Sequence, residues 1–171
     1  NKREFKSINI AILTISDTRT LQNDKSGDIL ENRILKSGHK CFIRELEIDD
    51  VKLIITKLKK WILDKKVDVI ITTGGTGITG RDVTPEAFKQ ISNKEIPGFG
   101  ELFRMISYEN IGSSTIQSRA LACVADGTYL FSLPGSPGAC KDGWDKILKY
   151  QLDYRNRPCN LVELMPRLKE A

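Results

Sequence analysis

The chain has 171 residues, of which 40% are apolar and 29% are charged, a balance typical of one globular domain. A chain of this length buries roughly 70% of its unfolded surface, so it needs neither disulfides nor a structural metal to hold a core. Disordered, collagen-like and miniprotein classes are therefore excluded. Lys and Arg outnumber Asp and Glu by 27 to 22, and the net charge of +5 favours an anionic partner without identifying it.

The cysteines and the apolar runs indicate a cytoplasmic protein. Cys41, Cys123, Cys140 and Cys159 form no CxxC pair, so we expect reduced thiols that mostly serve packing. No run approaches the roughly 18 apolar residues of a membrane span, and the basic opening NKREFKS leads to no cleavage-type site. We expect no membrane partner, although native residues before Asn1, with any targeting signal they carry, could be missing from this sequence.

The first half of the chain alternates short apolar strands with amphipathic helices. A helix over 28–37 ends at Gly38, and a second helix begins after Asp49 or Asp50, either of which can cap it. This alternation predicts an α/β fold, a three-layer sandwich with an open, mostly parallel sheet flanked by helices. Ligands of such sheets bind where the strands end. The three predicted strands are 8–15, 41–48 and 67–73.

The second half follows the same plan more loosely. We predict helices over 85–91 and 100–110, a hairpin of strands 121–124 and 129–133 around the turn sequence ADGT, and a last helix over 139–152. The remaining tail has no clear period. We expect a single domain over 1–171, with 1–7 and about 153–171 as terminal extensions.

Lysines cover one face of the second predicted helix, opposite its apolar stripe. No aromatic side chains are interleaved with them for base stacking, so a solvated helix face is favoured over a nucleic-acid surface. These lysines are Lys52, Lys57, Lys59, Lys60, Lys65 and Lys66. The stripe is Val51, Ile54, Ile55, Leu58 and Ile62.

The segment TTGGTGITGRDVTPE, over 72–86, carries the strongest functional signal. Its glycines let the backbone turn N–H groups toward an anion such as phosphate. Thr84 as N-cap and Pro85 as first helical residue predict a helix that begins beside this loop. The loop contains GxGxxG, but a dinucleotide fingerprint starts its helix within the glycines, and no Gly-Lys-Ser/Thr of a P-loop follows. A nicotinamide enzyme is therefore disfavoured.

Two interpretations of Arg81 and Asp82 remain open. A carboxylate in an anion-binding loop would repel a bare phosphate, which a divalent cation would resolve. Asp82 is then a Mg²⁺ ligand and Arg81 a phosphate clamp. Alternatively, Asp82 caps the following turn and Arg81 is exposed.

A second loop, LPGSPG over 133–138, also joins a strand to a helix. If that strand is parallel to the others, Ser136 and the amides of Gly135 and Gly138 meet the first loop at one crevice.

Nucleophilic hydrolysis is poorly supported by the sequence. His39 is the single histidine, it follows a helix stop and is expected to be a solvent-exposed turn residue, and no GxSxG elbow is present. Carboxylates and hydroxyls at the strand ends predict metal-assisted phosphate chemistry; they are Asp17, Asp50, Asp82, Ser16, Thr73, Thr76 and Ser136.

Several sequence blocks, in order along the chain, resemble the MoaB/Mog family of molybdenum cofactor biosynthesis proteins, which shares its molybdopterin-binding fold with the G domain of gephyrin. The blocks are ILTISDTRT, TTGGTGITGRDVTPE, PGFGELFRMIS, SRALAC and LPGSPGAC, and they span nearly the whole chain. The ending QLDYRNRPCNLVELMPR resembles the MoaB branch.

The resemblance implies binding of molybdopterin and transfer of AMP from Mg-ATP to its phosphate. It places the two principal aspartates, with a bound Mg²⁺, at Asp82 and Asp50, although Asp49 could fill the second role. The substrate or nucleotide contacts assigned by the residues and by the resemblance are Ser16, Asp17, Thr73, Gly74, Gly75, Thr76, Gly77, Arg81, Glu101, Ser107, Ser118, Arg119, Pro134, Gly135 and Ser136.

The resemblance also leaves an alternative open, because some MoaB-branch members resemble noncatalytic binders or scaffolds whose adenylylating role is taken by a sister protein. It implies a homotrimer or homohexamer and partners among other proteins of the same pathway. The PGFGE segment and the tail are expected to contribute subunit contacts.

Overall fold

A computed structural model describes residues 2–171 and has a six-stranded sheet at its centre. The strand order is β2-β1-β3-β6-β5-β4, in which β2, β1, β3 and β6 are parallel neighbours and β5 is antiparallel to both β6 and β4. The predicted open, mostly parallel sheet is confirmed. The strands are β1 Asn9–Ile15, β2 Lys40–Glu47, β3 Val69–Thr73, β4 Lys94–Glu95, β5 Leu121–Ala125 and β6 Thr128–Leu133.

Helices cover both faces of the sheet, so the molecule has the predicted three layers. On one face, Ile12, Ile71 and Phe131 pack against α1, α4 and the helical segment that begins with α5. On the other face, Leu13 and Ile70 pack against α2 and α3. The helices are α1 Lys25–Lys36, α2 Val51–Leu63, α3 Thr84–Ile91, α4 Pro97–Ile111, α5 Pro137–Gly143 and α6 Lys149–Gln151, with a π-helical turn, Trp144–Leu148, between the last two.

The first helix begins earlier than the sequence predicted, at Lys25 instead of residue 28. The reason is Asp24, whose carboxylate accepts a hydrogen bond from the Gly27 N–H and caps the helix. Gly27 therefore lies in the first helical turn.

The hairpin of β5 and β6 is confirmed, and its turn uses the sequence that predicted it. Asp126 and Gly127 both have positive φ, 47° and 81°, as a two-residue turn between twisted strands requires. The edge strand β4 was missed because two residues, Lys94 and Glu95, carry no periodic signal.

The lysine-faced helix is confirmed as a surface helix. Ile54, Leu58 and Trp61 form its buried stripe, whereas Lys52, Lys59 and Lys60 are exposed. Lys57 pairs with Glu45 of β2.

The interpretation of His39 as an exposed turn residue is wrong. Its side chain is 4% exposed, and Nδ1 accepts a hydrogen bond from the Ile8 N–H at 3.2 Å. The segment before β1 covers it, since the Phe5 ring lies 5.0 Å from the imidazole. Burial lowers the pKa of His39, against an opposing effect of Asp153.

The C-terminal tail is ordered against the sheet despite its lack of a period. It contains a 3₁₀ turn, Val162–Arg167, and the Tyr129 hydroxyl donates to the Leu161 carbonyl at 2.8 Å. Within residues 2–171, no helix has both the length and the apolar character needed to cross a membrane.

Candidate functional site

A cavity of about 730 Å³ lies where β1, β3 and β6 end, between the two glycine-containing loops and α4. Because β6 is parallel to β3, the loops that follow both strands reach the same edge, as predicted. Many predicted contact residues line this cavity. They are Ser16, Gly74, Gly75, Thr76, Gly77, Asp82, Ser107, Ser118, Pro134, Gly135 and Ser136.

The first loop passes very close to the end of β1. Gly74 has a φ of +104°, and a Cβ at this position would lie 2.1 Å from the Ile15 carbonyl oxygen, so only glycine fits. Thr84 also holds the loop in place, since its Oγ1 donates a hydrogen bond to the Gly74 carbonyl at 2.9 Å. The prediction of Thr84 as N-cap is wrong: Thr84 is the first residue of α3, and its hydroxyl bonds the loop instead of the helix end.

Arg119 holds the same loop from outside the cavity. Its Nε donates to the Gly77 carbonyl at 2.7 Å, and its Nη2 donates to the Asp82 carbonyl at 2.8 Å. Its guanidinium also pairs with Glu86, and this contact lowers the pKa of the Glu86 carboxyl. Arg119 does not line the main cavity, so its contacts support a structural role in shaping the loop.

Asp82 both caps a turn and faces the cavity. Its Oδ2 accepts from the Thr79 N–H at 2.9 Å and from the Thr79 hydroxyl at 2.7 Å, so the turn it caps precedes it. The other carboxylate oxygen takes no part in these two bonds. The two interpretations of Asp82 are therefore compatible in geometry.

The Arg81 side chain is paired outside the cavity. Its Nε and Nη2 each donate to Asp17 at 2.9 Å, and its side chain is 67% exposed. This pairing lowers the pKa of Asp17. Neither residue lines the main cavity, so the predicted phosphate clamp does not lie in position, and the alternative of an exposed Arg81 describes the structure.

The two aspartates after β2 have different places. Asp50 caps α2 through a 3.0 Å bond from the Leu53 N–H and is exposed. Asp49 lines the cavity, and burial, followed by the nearby Asp17 carboxylate, raises the pKa of Asp49. Of these two candidates for the second carboxylate, Asp49 lines the cavity and Asp50 does not.

Thr73 and Glu101 also lie outside the cavity. Thr73 is buried, and its Oγ1 donates to the Pro134 carbonyl at 2.8 Å, which ties β3 to the second loop. Glu101 borders a separate cavity of about 380 Å³ beside Arg104 and Ile96. The second loop ends at Ser136, whose hydroxyl accepts from the Ala139 N–H at 3.2 Å and caps α5.

Several lining residues were missed by the sequence reasoning. Arg19 stands in the SDTRT block directly after β1, so its position at a strand end was an available signal. The others come from α4, from the segment that follows it and from α5, where no motif marks them. They include Asn110, Ile111, Ser114, Gln117 and Asp142.

Of the strand-end carboxylates Asp17, Asp50 and Asp82, Asp82 lines the cavity and the other two do not. Within residues 2–171, no group of three or more His, Cys, Asp and Glu side chains could hold a metal ion together. Three carboxylates line the cavity: Asp49 and Asp82 lie beside the first loop, and Asp142 lies on α5. Proteins commonly hold Mg²⁺ with one or two carboxylates when substrate phosphates complete its coordination, and Asp49 and Asp82 would supply two.

Comparison with known proteins identifies the family. The sequence profile described as "Probable molybdopterin binding domain" matches residues 11–154. The chain belongs to this family. The resemblance to MoaB/Mog proteins is thereby confirmed, and with it a role in molybdenum cofactor biosynthesis.

The relatives of this molybdopterin-binding-domain chain include MoaB proteins over nearly its full length. Molybdenum cofactor biosynthesis protein B of Escherichia coli is 42% identical over 167 residues, which cover 98% of this chain and 96% of that protein. A crystal structure of a molybdenum cofactor biosynthesis protein B has 40% identity and a TM-score of 0.88, covering 99% of this chain and 100% of that one.

The tungsten cofactor synthesizing protein MoaB from Pyrococcus furiosus has 32% identity and a TM-score of 0.79, over 96% of this chain and 99% of its own. All three relatives are B-type proteins, which confirms the predicted branch.

Proposed function

We propose that this chain binds molybdopterin in the 730 Å³ cavity and transfers AMP from Mg-ATP to the molybdopterin phosphate. The observation that carries the proposal is the meeting of the two loops with Asp49 and Asp82 at one sheet edge. Parallel α/β sheets bind their ligands at such an edge.

Backbone amides supply most of the anion recognition in this proposal. The loop of Gly74, Gly75 and Gly77 brings main-chain N–H groups to the cavity without intervening side chains, as anion nests do. Arg81 is paired with Asp17 and does not line the cavity. Arg19 lines it and supplies a positive charge there.

Asp49 and Asp82 are the residues that would hold Mg²⁺, which neutralises phosphate charge when it is bound. The pKa of Asp49 is raised because it is partly buried and close to Asp17. A divalent cation would stabilise the charged form of such a carboxylate, so the donor set fits the ion.

The proposed reaction needs no protein nucleophile. A phosphate oxygen of molybdopterin attacks the α-phosphorus of ATP. The bond between that phosphorus and the oxygen bridging the α- and β-phosphates breaks, and pyrophosphate leaves with the electron pair. The chain's contribution is to orient the two phosphates and to compensate their charge, which are the principal effects in transfers of this type.

The test is incubation of the purified protein with molybdopterin and Mg-ATP, followed by chromatographic detection of adenylylated molybdopterin and pyrophosphate. We expect both products in equal amounts. Asp82→Asn should reduce turnover by about 100-fold while leaving molybdopterin binding largely intact, because it removes charge and not cavity shape. Unchanged molybdopterin at high protein concentration would exclude the transfer.

A second candidate is a noncatalytic molybdopterin-binding protein that delivers its ligand to a sister enzyme of the pathway. It is favoured by Asp50 serving as the cap of α2 and by the pairing of Arg81 with Asp17, which leave fewer charged groups at the cavity. This candidate predicts saturable molybdopterin binding with no ATP-dependent product, so the same assay separates the two.

A homo-oligomer, a trimer or hexamer, is part of the proposal. The surface of α4 and of the 3₁₀ turn that follows it, Gly112–Gln117, carries large apolar side chains that a monomer would leave in water. Met105 and Ile116 are 65% and 79% exposed. Association of copies of this chain through that surface would bury it. The exposed apolar residues of this surface are Leu102, Met105, Tyr108 and Ile116, whereas the exposed Ile111 lines the main cavity.

A further inference from the structure

Three consecutive carbonyl groups, of the last residue of β6 and of the two loop residues after it, each accept a hydrogen bond from the protein. The Leu133 carbonyl accepts from the Gly74 N–H at 2.9 Å, and the Pro134 carbonyl accepts from Thr73 Oγ1 at 2.8 Å. The Gly135 carbonyl has two donors. A loop whose acceptors are all bound in this way offers N–H groups, rather than oxygens, to a ligand.

The donors to the Gly135 carbonyl are Arg19 and Ser26. Arg19 Nη2 and Ser26 Oγ each lie 2.7 Å from that oxygen, and Arg19 Nη1 also donates to Ser26 Oγ at 3.1 Å. Arg19 and Gly135 line the main cavity, whereas Ser26 is fully buried behind it. The three groups form a closed set of hydrogen bonds.

Asp24 is the buried anchor of this set. It has no exposed surface, and its Oδ1 lies 3.7 Å from Arg19 Nη1. Oδ2 accepts from Thr14 Oγ1 at 2.6 Å and from Arg44 Nη2 at 3.1 Å, while Oδ1 accepts the Gly27 N–H at 3.0 Å. A buried carboxylate with this many partners is fixed in orientation, so it holds the Arg19 guanidinium beside it. Ser26 lies in the first turn of α1, the helix that Asp24 caps, so the same carboxylate fixes the backbone that carries Ser26.

Fixing one carbonyl also fixes one N–H. The Gly135 C=O and the Ser136 N–H belong to the same planar peptide group and point in opposite directions. Without a side chain at residue 135, that peptide could rotate easily, and rotation would exchange the two groups. No hydrogen bond within residues 2–171 uses the Ser136 N–H.

We propose that Asp24 and Ser26 are positioning residues that, together with Arg19, hold the Gly135–Ser136 peptide with its N–H available to a phosphate group of the ligand. Arg19 adds a positive charge to the same part of the cavity wall. The identity of the anion as a phosphate monoester or polyphosphate rests on the proposed function. The arrangement of the peptide does not.

The test follows amide signals of the ¹⁵N-labelled full chain during titration with inorganic pyrophosphate at constant ionic strength. In the unaltered protein we expect a saturable downfield shift of the Ser136 amide. Arg19→Gln should raise Kd by about tenfold, since it removes a charged donor, and Ser26→Ala by about threefold. Both should reduce the Ser136 shift at saturation.

Two comparisons separate positioning from charge alone. Arg19 and Ser26 share one acceptor, so the double variant should raise Kd by less than the product of the single effects. Arg19→Lys, which keeps the charge, should restore part of the affinity. Arg33→Gln is the matched control: it removes the same charge from α1, where Arg33 pairs with Asp145 away from the cavity, and Kd should change by less than about twofold.

The proposal is overturned if the unaltered protein shows no shift at Ser136, or if Ser26→Ala leaves Kd and that shift unchanged. It is also overturned if the variants lower thermal stability but the folded fraction binds pyrophosphate normally. Failure of the proposed function gives a different result: no adenylylated product from molybdopterin and Mg-ATP, with the pyrophosphate response of Ser136 still present and still dependent on Arg19 and Ser26.

Discussion

Neighbouring aspartates can have unrelated roles, and Asp49 and Asp50 are expected to separate function from stability. Asp49→Asn should lower the adenylylation rate by about 100-fold, because the carboxylate lines the cavity where phosphate charge must be compensated. Asp50→Asn should leave that rate nearly unchanged and lower the free energy of unfolding by less than about 1 kcal/mol, since asparagine also caps helices.

The measurements are steady-state product formation and urea unfolding for each variant. Asp50→Ala extends the comparison, since loss of the cap bond to Leu53 should lower the free energy of unfolding by about 1 kcal/mol. A rate loss confined to Asp50→Asn would assign the second carboxylate role to Asp50 and remove Asp49 from the site.

His39 gives the molecule a defined pH dependence. Its pKa in the folded state is lowered by burial, so between that value and the ordinary value of 6.5 the unfolded chain binds more protons than the folded one. The stabilisation is complete above pH 6.5 and is lost as pH falls through the folded pKa. Because His39 is the single histidine of the chain, urea unfolding between pH 7.5 and 5 should report it directly.

The control for this dependence is His39→Gln, which removes the titrating group. The variant should be less stable at pH 7.5, since the acceptor for the Ile8 N–H is altered, and its free energy of unfolding should change less with pH in this range. Equal slopes in the two proteins would assign the dependence to carboxylates. Asp153 and Arg155 line a surface cavity together with His39, and both are unchanged in the two proteins.

At the scale of residues, the sequence could predict which positions lie near the cavity but not which way their side chains point. Strand-end positions correctly brought Ser16, Asp82 and Ser136 to one cavity. The sequence could not decide between Asp49 and Asp50, because either can cap a helix, and the choice depends on the path of the chain after β2. Arg81 was misplaced for a similar reason: its partner Asp17 is distant in sequence and close only in the fold.

At the scale of elements, the approach of the first glycine loop to β1 should dominate the effect of substitutions. Gly74→Ala is expected to lower the free energy of unfolding by at least about 2 kcal/mol, because it combines a strained φ with a Cβ 2.1 Å from the Ile15 carbonyl oxygen. Thermal or urea unfolding provides the measurement, with molybdopterin binding as a second readout.

Gly80→Ala in the same loop is the matched control. A Cβ there meets no atom within 4 Å, and its φ is not positive, so the change in stability should stay within about 0.5 kcal/mol. Equal losses of unfolding free energy in the two variants would show that the loop needs its glycines for flexibility, rather than for its close approach to β1.

Elements with strong period or turn signals were predictable, and short or capped ends were not. The ADGT hairpin and the first three strands follow their sequence patterns. The start of α1 depended on recognising Asp24 as a cap within a polar loop, and β4 exists only because β5 offers it an edge. Tertiary context decides such cases.

At the scale of the whole molecule, the lysines of α2 and the exposed apolar side chains of α4 lie on opposite sides of the sheet. Four of the 27 basic residues are lysines of α2, which packs on the side of the sheet opposite α4. The phosphate recognition proposed here uses backbone amides, Arg19 and two aspartates instead. The α2 lysines therefore add to the net charge without lying at the cavity where phosphate binding is proposed.

The apolar surface of α4 leads to the last prediction, which concerns assembly. If copies of this chain associate through it, Met105→Glu should convert an oligomer into a monomer of 19.3 kDa, because each interface would bury an unpaired charge. Light scattering after size exclusion measures the mass directly. Phe103 and Ser107 of the same helix line the cavity, so dissociation should also weaken molybdopterin binding. Leu63→Glu is the control, since Leu63 is 79% exposed on α2 across the sheet and should leave the mass unchanged. A monomeric unaltered protein, or dissociation caused by Leu63→Glu alone, would rule out α4 as the contact between copies.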